Sequence, residues 1–567
     1  MPALLQFPGG RILLMPSKPI LIAAFALSAW SISAQPTDPS PALEKRVDRL
    51  QARLESIESI RAIKRLQYAY GHYTELGLWN DFADLFTDDA LTNYSQGARG
   101  KAEVRKLFFD QVGQGKLGLA DGRIYPHILF QPVITLAPDG RTAKGRWRIL
   151  AMLGGYGGGA TWYSGVYENE YVLQDGAWKI SVLRSEPKAT AAYTATGWKD
   201  SGIHVPLHYT AASVAAAIPV GNPKPLTGTL PERVNQLAQR AALLNDQAAV
   251  TNVLDTYGYA IDRKQWNQAA DLFAGNGTLE RGQQGVYVGK TSIRRSLNQF
   301  GSSGLNDHVY LQTLVSVAPD GRTANARGVE LIFSSDAGGE LSEGTFENTF
   351  VKQGSTWKIQ SVHFYPRMIV DAATGWAKSA KPAPGPSKQF PPDRPPTSTY
   401  EIYPKFSVAP FHFDNPVTGK PPQYPAGVSS TSRPTPAAPP AKGPIRNLES
   451  RVAEAGRSLA AAEAYDIAEN LINAHGYSLD DSPSATGGSI LANQILQPVI
   501  DVAPDGRSAK LRARTLNLGG TSGGPGYWMA GTLAGQIVSD QGAWKFQTPS
   551  TSTVWSAPYP GSWARIP

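Results

Sequence analysis

Three stretches of this chain are variants of a single string. QPVITLAPDGRTAK runs from Gln131 to Lys144, QTLVSVAPDGRTAN from Gln312 to Asn325, and QPVIDVAPDGRSAK from Gln497 to Lys510. Repetition limits the fold more than any composition value does, because each copy must build the same supersecondary unit. Pro138, Pro319 and Pro504 are 181 and 185 residues apart, so the unit is the size of a domain. Each string alternates apolar and polar residues, reaches Pro-Asp-Gly and resumes as strand, which is the pattern of a tight hairpin. A second hairpin follows in each copy (YVLQDGAWKI, FVKQGSTWKI, IVSDQGAWKF) and sets Trp178, Trp357 and Trp544 at one core position.

A helix recurs upstream. With Gly71, Gly258 and Gly476 aligned, Leu43, Leu230 and Leu448 stand 28 residues before the glycine and Val47, Val234 and Val452 stand 24 before it. Apolar residues continue at 4-3-4-3 spacing, which puts one stripe on a helix. Two heptads are too few for an independent coiled coil, so the stripe is expected to dock on its own domain or on a neighbour. Helices first and antiparallel strands afterwards make an α+β pattern, not alternating βαβ. Short helices are expected at WNDFADLFTDDA and WNQAADLFAGNG, and again near Lys101–Phe109 and Thr291–Phe300. The third copy is cut short: Gly476 to Gln497 is 21 residues, against 60 and 54 in the first two, which removes the tryptophan helix, the next helix and a strand.

These landmarks divide the chain into an export signal (1–34), a first domain (41–200), a second (228–380), a proline-rich linker (381–444) and a truncated repeat (445–567). The signal rests on Lys18, an apolar run from Pro19 to Ile32 and the small residues Ser33 and Ala34, with cleavage after Ala34 and a periplasmic or secreted location implied. The linker holds 18 of the 44 prolines, which cannot donate to a helix or sheet ladder, and its aromatics Tyr400, Tyr403, Phe406, Phe411 and Phe413 suit it to lie on a domain surface. Without its wall of helices, the third repeat is expected to be an open sheet with one long helix, covered by a neighbouring unit.

Composition excludes several classes. Removing Arg11 and Lys18 with the signal takes the net charge from +8 to +6, thinly spread, which makes no nucleic-acid surface. No cysteine is present, so thiolate metal sites and cysteine nucleophiles are excluded. No apolar stretch after the signal is long enough to form a stable membrane span. The glycine runs LGGYGGGATW and LGGTSGGPGYW lack the phosphate-loop order and read as bulged hairpins.

YGHYTELGLWNDFADLFTDDA and YGYAIDRKQWNQAADLFAGNG, a histidine ahead of each of the first two PDG strands and the closing W-K-I strand together resemble the SnoaL-like branch of the NTF2-like superfamily. The resemblance implies tandem cones in which a curved antiparallel sheet wraps about three helices. It also implies, for the dehydratase-like members, a tyrosine and an acid on the first helix with a histidine from the sheet. Carried over by position, these are Tyr257, Asp262 and His308 in the second copy, and Tyr70, Glu75 and His127 in the first. The third copy has His475, Asp480 and Asn493 there and lacks the sheet histidine.

Imidazole suits removal of a proton from carbon near neutral pH, a carboxylate on its other nitrogen fixes the tautomer, and a phenol can serve a developing oxyanion. No cofactor or metal is required. Tyr68, Tyr73, Trp147 and Tyr259 are candidate pocket aromatics, and Arg184 and His363 line the pocket or edge the sheet. Two readings stand: a cofactor-free lyase or isomerase acting on a small, apolar, oxygenated molecule, and a non-catalytic binding or assembly protein in which Asp262 and Glu75 cap helices and the histidines sit in the core.

Overall fold

The computed structural model describes residues 41–221, 226–425, 447–480, 490–521 and 523–566. The expected signal and the end of the proline-rich linker lie outside the described residues. Each repeat opens with one long helix: α1 (Pro41–Leu76), α4 (Leu230–Asp262) and α7 (Leu448–Asp480). Thr229 and Glu232 form a reciprocal capping box at the start of α4, whose first turn also accommodates Pro231. Short helices α2 (Trp79–Asp84) and α3 (Lys101–Gln111) follow in the first domain, and α5 (Trp266–Asp271) and α6 (Gly289–Leu297) in the second.

The main strands of the first domain are β1 (Phe86–Thr92), β2 (His127–Leu136), β3 (Thr142–Gly155), β4 (Ala160–Gln174) and β5 (Ala177–Leu183). Those of the second are β6 (Phe273–Arg281), β7 (Asn306–Val317), β8 (Thr323–Ser334), β9 (Glu340–Gln353) and β10 (Thr356–Asp371). Both sheets run in the same order: the first strand pairs parallel to the last, and the four later strands form an antiparallel meander. In the third repeat, β11 (Ile495–Val502), β12 (Ser508–Gly520), β13 (Gly526–Asp540) and β14 (Ala543–Pro558) repeat the meander, and no parallel first strand is present among the described residues. The fold is therefore α+β, two complete cones and a truncated one. At each Pro-Asp-Gly turn the aspartate (Asp139, Asp320, Asp505) accepts the backbone N–H two residues on, and the glycine has φ +66.

The repeats are arranged around a pseudo-threefold axis. Leu43, Val47, Leu230, Val234 and Val452 form one buried cluster, so the heptad stripe of each long helix docks on the same stripe of the other two. Farther along the axis a cavity of about 110 Å³ is lined by Lys64, Tyr68, Asp255, Tyr465, Asp466 and Glu469. On the outer sheet faces Trp162, Trp198, Trp376, Trp528, Trp555 and Trp563 meet in a second shared core. Trp162 and Trp528 follow the two glycine-rich turns, which are β3–β4 and β12–β13 hairpin connections.

One contact recurs at all three interfaces. Gln131, Gln312 and Gln497 sit at a ladder bulge with φ between +46 and +55. Each glutamine lies over the helix glycine of another repeat: Gln312 over Gly71, Gln497 over Gly258 and Gln131 over Gly476. A Cβ at these glycines would stand 2.2, 2.6 and 2.4 Å from the glutamine side chain, which requires glycine at each. Gln312 Oε1 accepts the Leu129 N–H at 2.8 Å and Gln131 Oε1 accepts the Ile495 N–H at 3.0 Å, stitching strands of different repeats.

The segments that follow the two complete cones also match. Pro206–Tyr209 (PLHY) and Pro410–Phe413 (PFHF) each bring a histidine to a glutamate that an arginine already holds. His208 Nδ1 is 2.7 Å from Glu168, which pairs with Arg146; His412 Nδ1 is 2.7 Å from Glu347, which pairs with Arg327. The first of these tails continues onto the truncated repeat, where the Trp544 N–H donates to Ala215 O and Ile218 joins the core beneath α7. In the second, Phe411 and Phe413 pack on Tyr73.

Candidate active site

Alternation along β7 decides which side chains enter the second cone. His308 and Tyr310 face α4 and are buried with Tyr257, while Asp307 faces the third repeat. Across the ladder Tyr310 pairs with Glu330 of β8, so Glu330 lies diagonally opposite His308 on the same face. His308 Nδ1 is 2.5 Å from Glu330 Oε1, and Arg281 of β6 reaches the same carboxylate through two nitrogens at 3.1 and 3.4 Å. The other imidazole nitrogen, Nε2, is 3.0 Å from the Asn306 amide. Phe300 packs edge-on to the ring with centroids 5.4 Å apart, and the residues after it, Gly301–Ser303, are exposed.

The electrostatics of this set follow from its burial. Burial works to raise the Glu330 carboxyl, but the Arg281 charge and the His308 hydrogen bond hold it below the usual carboxylate range. For His308, burial outweighs the pull of Glu330 and lowers the imidazole, favouring the neutral ring. A neutral His308 that donates Nδ1–H to Glu330 keeps a lone pair on Nε2, the nitrogen beside Asn306 Oδ1, while the Asn306 NH₂ donates to Ile261 O at 3.4 Å. The Tyr257 hydroxyl is buried in the same core without a hydrogen-bond partner, and burial drives its acidity strongly down.

The expected partner of His308 is corrected by this geometry. Asp262 does not touch the imidazole: its Oδ1 accepts the backbone N–H of His308 at 2.7 Å, and its other oxygen pairs with Arg514 of β12. Five residues along a helix turn a side chain by about 140°, so with Tyr257 facing the cone, Asp262 at the helix end faces the neighbouring repeat. Glu330 is the carboxylate on the ring. Its signal in the sequence is a charged residue in the middle of the apolar strand GVELIF.

The first cone brings Tyr70 and His127 together but not Glu75. The Tyr70 hydroxyl is 3.1 Å from that of Tyr167, which is hydrogen-bonded to His127 Nε2 at 2.8 Å, and His127 Nδ1 is without a partner. Glu75 turns instead to His72 at 3.1 Å and to Arg367 of the second domain at 3.2 Å. Aligned on Pro138 and Pro319, Ile149 replaces Glu330; aligned on Trp79 and Trp266, Tyr94 replaces Arg281. No carboxylate is hydrogen-bonded to His127, and burial drives its imidazole down to about 3.

The remaining candidates make other contacts. In the third repeat Asp480 accepts the Asn493 N–H at 2.7 Å and pairs with Arg148 of the first domain at 2.6 Å. His475 stacks edge-on to Phe546. Of the aromatics expected to line a pocket, Tyr68 lines the axial cavity, Tyr73 packs under the tail, Trp147 donates to Tyr171 and Tyr259 donates to Gln497 O of the third repeat. Arg184 is exposed, and His363 stacks on Tyr365 with ring centroids 3.9 Å apart. Among the described residues no group of three or more histidines and carboxylates could hold a metal ion, and no helix is long and apolar enough to cross a membrane.

Residues 55–184 and 242–363 match the model of the SnoaL-like domain. The chain carries two SnoaL-like domains. Solved structures with likeness to it include a protein provisionally named scytalone dehydratase from Novosphingobium aromaticivorans DSM 12444, at 21% identity and TM-score 0.23, covering 27% of this chain and 98% of that one. An NTF2-like protein with a cystatin-like fold from Novosphingobium aromaticivorans matches at 19% identity and TM-score 0.21, over 23% of this chain and 88% of its own. A type 2 hexachlorocyclohexane dehydrochlorinase matches at 19% identity and TM-score 0.22, over 27% and 97%. The two matched regions are the two complete cones. The third repeat shares their meander and long helix without the elements that close a cone.

Proposed function

We propose that the second SnoaL-like domain is a cofactor-independent lyase or isomerase site for a small, apolar, oxygenated molecule. The observation that carries this reading is the buried Arg281–Glu330–His308 chain, with an unpartnered Tyr257 hydroxyl in the same cone. In a dehydration, His308 Nε2 takes the proton from the carbon next to a carbonyl. The C–H electron pair becomes the new C=C bond as the C–O bond to the adjacent hydroxyl breaks, and the hydroxyl leaves as water with the proton returned from the imidazolium. Glu330 stabilises that imidazolium, Arg281 keeps Glu330 ionised, and Tyr257 donates to the carbonyl oxygen as it gains charge.

The test is proton NMR of the full chain in D₂O with a panel of cyclic 3-hydroxy ketones, following C–H exchange and loss of water. Activity on one member, abolished by His308→Ala, supports the reading; turnover undiminished in His308→Ala refutes it. A second reading, a binding and assembly protein, is favoured by the use of Glu75 in an interdomain ion pair and by the missing carboxylate in the first cone. We propose in addition that the chain is exported through the signal at its start.

A further inference from the structure

The third repeat has no cone, yet it places one arginine against the second domain's site. Arg514 is buried and pairs with two carboxylates of that domain, Asp262 at the end of α4 and Asp307 in β7. These two residues bracket His308. Asp262 holds its backbone N–H at 2.7 Å, and Asp307 is the residue before it, pinned on its other oxygen by Trp555 Nε1 at 3.0 Å. The strand cannot slide along α4, nor shift the His308 Cα relative to Glu330, without breaking the fork.

We propose that Arg514 is a positioning residue for the second domain's site: it locks Asp262 and Asp307 and through them holds the His308 imidazole against Glu330. This rests on the reading of that site given above, and it assigns the truncated repeat a task that needs no pocket. The same ion pair recurs around the axis, Asp480 with Arg148 and Glu75 with Arg367, so that each repeat's helix-end acid meets an arginine of another repeat. At the third interface the residue so anchored is Asn493, which has no imidazole to orient. The Arg148 contact is therefore a control that breaks a helix-end ion pair at another interface and has no link to His308.

The experiment uses the full chain with ¹³C,¹⁵N-labelled histidine. The His308 resonances are assigned by their loss in His308→Ala. The charged groups facing the ring are Glu330, Arg281 and, behind its backbone, Asp262, Asp307 and Arg514. Arg514→Gln leaves both aspartates without their countercharge and should raise the His308 titration midpoint by about one unit. Asp262→Asn keeps an oxygen for the backbone N–H but removes a negative charge, and should lower the midpoint. Arg148→Gln should leave it within 0.2 unit, a threshold set on the order of measurement error. If the ring stays neutral down to acid unfolding, the Nδ1 and Nε2 shifts at neutral pH report the tautomer instead.

A variant that fails to fold is replaced by Arg514→Lys, which keeps the charge and loses the fork. It should move the tautomer shifts while Arg148→Lys does not. His308 signals unchanged in the Arg514 and Asp262 variants, or moved equally by Arg148→Gln, overturn the proposal. These readouts need no substrate. A moved His308 in a chain that turns over nothing keeps the positioning role and sinks the enzyme reading alone.

Discussion

Replacing Gly71 by alanine should destabilise the chain, although an alanine in the middle of a helix is ordinarily a gain. The substitution returns about 1 kcal/mol of helix propensity. Against this, the new Cβ would lie 2.2 Å from Gln312 Oε1 and 2.6 Å from its Cδ, so the amide must move by about an ångström to restore contact distance. Gln312 is 2% exposed and its oxygen accepts the Leu129 N–H, so moving it strands a buried donor, which costs about 1–3 kcal/mol. The net of those two terms is a loss of up to about 2 kcal/mol, to which the cost of displacing the packed amide adds. In a Gln312→Ala background the obstruction is gone, and the same substitution should stabilise. Urea unfolding of the four proteins of this cycle, followed by tryptophan fluorescence, reads the sign of the midpoint shift. A Gly71→Ala variant that gains stability with Gln312 in place, or the same shift in both backgrounds, would refute the reasoning.

Acid should weaken the fold well above the carboxylate range. Burial holds His127 and His363 at about 3 and 4, below an unfolded value of about 6.5, so their contribution is complete above that value and is lost as pH falls towards the folded ones. Between pH 6.5 and 4.5 each removes about 2–3 kcal/mol, and His127→Phe should flatten the stability profile over that range. Glu330→Gln keeps the volume but not the charge, and should cut any proton-transfer rate by about 100-fold or more while leaving the first domain's tyrosine shifts in place; equal activity in the variant would remove Glu330 from the mechanism. Exported protein should begin at Gln35, and N-terminal sequencing that returns Met1 or Met15 would exclude the signal.

Much of the fold was legible because its markers are local. Pro-Asp-Gly turns, the repeated tryptophans and the missing residues after Gly476 each act within a few positions of themselves. The site was legible in part. Tyr257 and His308 stand in the same core, but their carboxylate comes from the next strand, where diagonal pairing across a ladder has no fixed sequence spacing. A glutamate amid Val329, Leu331 and Ile332 was the available sign, since an unpaired charge at the centre of a buried strand is too costly to stand alone. The interfaces were the least legible. The glycines used as alignment landmarks are required by a glutamine about 240 residues away in two cases and 345 in the third, a relation visible only once the repeats are placed around an axis.

Covalent fusion explains which features the three copies share and which they do not. In a trimer of identical chains a change at one interface appears at all three, and a change inside one cone appears in every cone. Joined in one chain, the copies are free to differ. The glycine–glutamine contact and the helix-end acid with its arginine are present three times. Both close the ring, and losing an ion pair, or the Gln131 or Gln312 contact, leaves a buried polar group unpaired. The arginine itself changes place where it must: Arg148 and Arg514 share a strand position that is Val329 in the second copy, and Arg367 on β10 supplies the charge there. Inside the cones the copies diverge. The second keeps Arg281, Glu330 and His308, the first substitutes Tyr94, Ile149 and a Tyr167–His127 contact, and the third gives up its wall to the tail of the first. Arginine–glutamate–histidine sets also seat the two tails on the sheets, so what sets the second cone apart is that its set is buried together with the unpartnered Tyr257 hydroxyl.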